Sequence, residues 1–120
     1  DKIGPDGAVG AAAEMVVAAR KLSAELKQEI KIGLGIHAGE VIAGRVGSPD
    51  RQEFTFLGDT VNTAARLESA SKDLGRDIVI SKSVFDELCP KLREKAWQIV
   101  GSLTLKGKRN TIETFALSVT

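Results

Sequence analysis

Asn62 and Arg66 stand four residues apart in a stretch that Asp59 or Thr60 can cap, that runs to about Lys72, and that Gly75 can stop. On a helix this spacing puts the amide and the guanidinium on one face. Turned at about 100° per residue, Val61, Ala64, Ala65, Leu67, Ser71 and Leu74 fall on one broad side, and Asn62, Arg66, Ser69 and Asp73 gather on the other. Arg66 taken alone reads as a solvated charge. Other chemistries find little support. His37 and Cys89 are the single His and the single Cys, too few for a four-ligand zinc site or an internal disulfide. Ser, Cys and His lack the context of acyl transfer, and His37 reads as structural inside an alternating strand. The glycines form neither a G-x-G-x-x-G fingerprint nor a Walker A loop.

Several elements must position that helix. Before it, Ile30, Ile32, Leu34 and Ile36 alternate with Lys31, Gly33, Gly35 and His37, the period of a half-buried strand. Val41 and Ile42 precede Gly44, turn residues fill Gly47 to Asp50, and Phe54, Phe56 and Leu57 begin another alternating segment. Glycine at 33, 35, 39, 44 and 47 is dense for strands and implies that something approaches the backbone closely. An amphipathic helix is expected from Ala8 to about Lys27, with Ala8, Ala12, Met15, Ala19, Leu22 and Leu26 as its packed stripe and Asp1 to Gly7 as loop. After the Asn62 helix come a strand at Ile78 to Ile80 and a helix that Ser81 caps and Pro90 ends. Strands at about Trp97 to Leu105 and Thr111 to Val119 follow. This order predicts an α+β fold with helices on one face of a mostly antiparallel sheet.

Composition sets the bounds. With 120 residues, 17 Lys and Arg against 16 Asp and Glu, and 42% hydrophobic residues, the chain reads as one ordinary domain or part of one. A net charge of +1 argues against nucleic-acid binding. With 4% aromatic residues and no Tyr, a base-stacking RNA sheet is disfavoured too. No segment has the roughly 18 apolar residues of a membrane helix, and the N-terminus is no signal peptide, so a cytoplasmic location is expected.

The run Ile32-Gly33-Leu34-Gly35-Ile36-His37-Ala38-Gly39-Glu40-Val41-Ile42-Ala43-Gly44, then Val46 to Arg51, then Phe54 to Glu68 with its Gly58-Asp59-Thr60-Val61-Asn62-Thr63-Ala64-Ala65-Arg66-Leu67-Glu68, resembles the catalytic domain of class III nucleotidyl cyclases. Lys106-Gly107-Lys108 before the last strand fits the end of that domain. The resemblance implies a ferredoxin-like cyclase fold that pairs head to tail. Its composite sites close ATP into 3′,5′-cyclic AMP and release pyrophosphate. It assigns the catalytic Asn-x-x-x-Arg pair to Asn62 and Arg66. Thr55, seven residues before Asn62, falls where relatives that use ATP read the adenine edge, and Lys106 falls where a Lys reaches the terminal phosphates. Lys108 and Arg109 read as surface charges.

The resemblance covers residues 1–120 as part of such a domain, with the opening strands and their two metal-binding aspartates absent. No metal ligand is therefore expected in this chain, and Mg2+ or Mn2+ would be held by groups outside it. Asp6 resembles the second aspartate only loosely, because too few residues separate it from the Gly35 strand. The expected partners are ATP and a second cyclase domain, in a homodimer or otherwise. The alternatives are a guanylate cyclase and a non-catalytic cyclase-like module for dimerisation or nucleotide sensing. Alone, the 120 residues are expected to be inactive, marginally stable and prone to self-associate.

Overall fold

A computed structural model describes residues 4–38, 40–46, 59–104 and 111–119. Along the chain run α1 (Pro5–Leu26), β1 (Ile32–His37), β2 (Glu40–Arg45), α2 (Asp59–Leu74), β3 (Ile78–Ser81), two short helices α3 (Lys82–Asp86) and α4 (Pro90–Arg93), and then β4 (Gln98–Thr104) and β5 (Thr111–Leu117). The strands form one sheet in the order β2-β1-β3-β5-β4. Three neighbouring pairs are antiparallel, and β1 and β3 are parallel. The fold is thus α+β with a mostly antiparallel sheet, as the sequence predicts. No helix among the described residues is long and apolar enough to cross a membrane.

The expectation of helices on one face is corrected. Side chains alternate across a strand, so Leu34 and Ile36 of β1 point one way and Gly33 and Gly35 the other. Leu34, Ile36, Ile78 and Ile80 form the larger core with Ala8, Val9, Ala12 and Val16 of α1 and with Val84 and Leu88. Phe115 stacks on Phe85 there at 4.0 Å between centroids, and Trp97 meets Phe85 edge-on at 6.1 Å. On the opposite face Leu67 of α2 packs with Val79 and Ala116, flanked by Val100, Leu103 and Ile112. The helices therefore sandwich the sheet. Glycines in β1 leave room for the second layer.

Three details of α1 and α4 also depart from expectation. Helix α1 starts at Pro5, so Asp6 and Gly7 are helical, because proline's fixed φ suits the first helical position. Its packed stripe is Ala8, Val9, Ala12 and Val16, whereas Met15, Leu22 and Leu26 are 44%, 44% and 56% exposed. Only the first half of α1 lies on the sheet. The second half is tied down by polar contacts: the Ser23 hydroxyl accepts from the Ile30 N–H at 2.7 Å, and Arg20 Nη2 donates to Asp77 Oδ2 at 2.9 Å. Pro90, finally, opens α4 at its first position rather than merely ending α3.

Candidate functional site

Helix α2 is held by what lies beneath it. A Cβ on Gly35 would come 2.2 Å from the Ala64 carbonyl oxygen and 2.3 Å from the Glu68 nitrogen, so the helix backbone rests directly on β1. A Cβ on Gly33 would meet Ser71 Oγ at 2.2 Å. The later residues of α2 thus lie over the start of β1 and the earlier ones over its end, so helix and strand run in opposite directions. This is the close approach that the density of glycine implies.

The sheet-facing side of α2 contains Ala64, Leu67 and Ser71, all fully buried. Asn62 and Arg66 lie about 140–180° around the axis from Ala64 and Ser71, so they point away from the chain's own sheet. Asn62 is half-buried and Arg66 exposed. On the expected packed side Ala64, Leu67 and Ser71 are buried, whereas Leu74 is 44% exposed. It stands in the last turn, just before Gly75 takes the left-handed φ of +66° that ends the helix.

Thr55 and Lys106, with Lys108, Arg109 and the Phe54–Leu57 segment, lie outside the described residues. Asp6 has a structural task, since its Oδ1 accepts from the Cys89 N–H at 2.9 Å and so ties the start of α1 to the start of α4. Among the described residues no group of three or more His, Cys, Asp or Glu could hold a metal ion. These residues do not fit a divalent-metal site by themselves.

His37, at the end of β1, places Nδ1 2.8 Å from Oγ of the buried Ser81, which in turn lies 3.1 Å from Ser83 Oγ. Burial lowers its pKa below 6.5. The hydrogen bond joins the ends of the parallel pair β1 and β3, in keeping with the structural role that its place in the strand predicts.

Sequence reasoning passed over Glu68 and Lys72. Their side chains are only 13% and 15% exposed, Nζ to Oε2 is 3.1 Å, and both lie against Gly44, where a Cβ would sit 2.4 Å from Glu68 Oε1 and 2.8 Å from Lys72 Nζ. A Glu and Lys four apart on a helix ordinarily mark a solvated face. The signal that could have found them is the glycine in the strand opposite.

Residues 8–119 match the family described as the adenylate and guanylate cyclase catalytic domain. The chain is similar to an adenylate cyclase of Anabaena cylindrica, 39% identical over 87 residues, which is 72% of this chain and 17% of that protein. It is also similar to the terminal-differentiation-specific adenylate cyclase of Dictyostelium discoideum, 34% identical over 86 residues (72% and 4%). A third relative is adenylate cyclase 1 of Rhizobium meliloti, 31% identical over 87 residues (72% and 13%). The chain spans 17% or less of the length of each of these relatives. A match over nearly the whole chain, on a sheet whose glycines seat the Asn62 helix, leaves no doubt of kinship: the chain belongs to the adenylate and guanylate cyclase catalytic domain family.

Proposed function

We propose that residues 1–120 are part of a cytosolic class III adenylate cyclase catalytic domain that converts ATP to 3′,5′-cyclic AMP and pyrophosphate at a dimer interface. The observation that carries this reading is the direction of Asn62 and Arg66. They stand on the face of α2 turned away from their own sheet, where a substrate shared with a second domain could meet them.

In that reaction the ribose 3′-oxygen bonds to the α-phosphorus, the bond from that phosphorus to the pyrophosphate oxygen breaks, and the hydroxyl proton is released. Charge grows on the phosphoryl oxygens and on the leaving group, so the protein's contribution is positioning and neutralisation. Arg66 would donate several N–H bonds to the phosphate oxygens, and Asn62 would orient the ribose. Thr55 would read the adenine edge, and Lys106 would meet the terminal phosphates as a mobile charge. The Mg2+ or Mn2+ that the family resemblance implies would be held by groups beyond the residues described.

The test is to incubate the encoded polypeptide with ATP or GTP and manganese over a range of protein concentrations. Cyclic AMP formed from ATP, with specific activity rising with concentration, supports the proposal. Cyclic GMP formed from GTP alone moves the assignment to a guanylate cyclase. Nucleotide binding without cyclisation assigns a sensing module instead.

A further inference from the structure

The floor under α2 is smooth. Leu67 packs on Val79 and Ala116 over the middle of the sheet, but toward β2 Gly33, Gly35 and Gly44 offer no side chains to interlock with the helix. Polar side chains of α2 itself occupy that space. Ser71 Oγ donates to the Glu68 carbonyl at 2.6 Å and fills the space over Gly33, while the Glu68 and Lys72 side chains fill the space over Gly44. Gly33 and Gly44 face each other across β1 and β2, so both contacts act on one rung of the sheet.

Glu68 Oε2 is sealed from water and among the described residues accepts no well-aligned hydrogen bond; the Lys72 ammonium, 3.1 Å away, is the cation within ion-pairing distance. A carboxylate so placed cannot move from its ammonium partner without stranding a charge. Apolar side chains of similar volume generally hold a buried position as firmly as an ion pair or more so. The pair therefore contributes little net stability. It does dictate one rotation of the helix. Glu68 is two residues after Arg66, about 200° around the axis, so a carboxylate fixed on the sheet side fixes the guanidinium on the opposite side.

We infer that Glu68 and Lys72, seated on Gly44, are positioning residues that set the rotation of α2 and through it the aim of Asn62 and Arg66. For its catalytic consequence this rests on the cyclase reading, but the clamp itself does not. Neither side chain touches substrate. Their effect is to hold a reacting geometry in which a misplacement of about 1 Å can cost a hundredfold in rate.

The test separates orientation from stability and from activity. Nitroxide labels are placed at Asp73→Cys on the outer face of α2 and at Ser102→Cys on β4, in a Cys89→Ser background of the encoded polypeptide. The distance distribution between them is then measured by electron paramagnetic resonance. The wild-type pair should give a narrow distribution. Glu68→Leu with Lys72→Leu should leave the melting temperature equal or higher while broadening or shifting it. Lys72→Arg, which keeps the charge, should keep the narrow form. Glu68→Gln, nearly isosteric, serves as the second variant should the double leucine fail to fold. In turnover assays the broadened variants should lose about tenfold to a hundredfold in kcat with KM little changed. An unchanged distribution in the foldable variants overturns the inference. If wild-type protein forms no cyclic nucleotide while the distribution still broadens, the cyclase reading falls and the clamp stands.

Discussion

Gly35→Ala probes the seat of α2 most directly. The added methyl would stand 2.2 Å from the Ala64 carbonyl and 2.3 Å from the Glu68 amide nitrogen, and Cβ contacts under 3.0 Å are essentially never seen. Both obstructing atoms are backbone, so no side chain can swing aside and the helix must lift by roughly 1 Å. Leu67, fully buried between α2 and the sheet, makes on the order of 50 contacts worth about 0.15 kcal/mol each. If half of these face the sheet and a gap of that size forfeits about a third of each, Leu67 alone loses ~1.2 kcal/mol. Ala64 and Ser71 add a comparable amount, and the stiffer unfolded chain returns about 0.4–1 kcal/mol. The net is a loss of about 2 kcal/mol, within the usual range for an overpacked core. It corresponds to a fall of roughly 8–10 °C in Tm for a domain of this size. Thermal and urea unfolding followed by circular dichroism measure it. Gly10→Ala is the control, because a methyl there meets nothing within 4 Å and should stabilise α1 by up to about 1 kcal/mol. A Gly35→Ala loss below about 0.5 kcal/mol would refute the argument that backbone contact seats the helix.

Three further outcomes are expected. In the encoded polypeptide Arg66→Ala should lower turnover by about two orders of magnitude or more with nucleotide affinity little changed, as steady-state kinetics and a binding titration would show. Asp77→Ala should cost about 2–3 kcal/mol in urea unfolding, because its nearly buried carboxylate accepts both from Arg20 and from the Val119 N–H at 2.7 Å, whereas Arg20→Ala, which removes a side chain that is itself half-exposed and leaves Asp77 its bond from Val119, should cost less. Burial depresses the pKa of His37 in the fold, so the unfolded chain takes up its proton first on acidification; stability should be full above pH 6.5 and fall below it, and His37→Gln should flatten that slope.

The sequence made β1 plain, since four apolar residues at a period of two admit little else. It also showed that something presses on the glycines, but not what. Contact between layers is a property of two distant segments, and no local pattern names the second one. Periodicity misjudged α1 for a related reason. Met15, Leu22 and Leu26 satisfy a helical repeat, yet the sheet ends beneath Val16, and repeat length carries no information about where a partner surface stops. Asn62 and Arg66 were legible as a polar face because their neighbours one half-turn away are apolar or small. Glu68 and Lys72 were not, because a charged pair is read as solvated until the glycine opposite is known to lie against it.

The four-residue strand β3 has a consequence for how the chain acquires its structure. β1 with β2 and β4 with β5 are hairpins, each built from nearby residues. Among the described residues β3 joins them, pairing with β1 on one side and β5 on the other, and all four of its residues are buried. Its partners lie 44 residues before it and 33 to 39 after, so loop-closure entropy opposes both unions until Leu34, Ile36, Ile78 and Ile80 have collapsed together. The hairpins can form and dissolve early and independently. The rate at which a complete sheet appears is governed by the capture of these four residues, and so is the rate at which it comes apart.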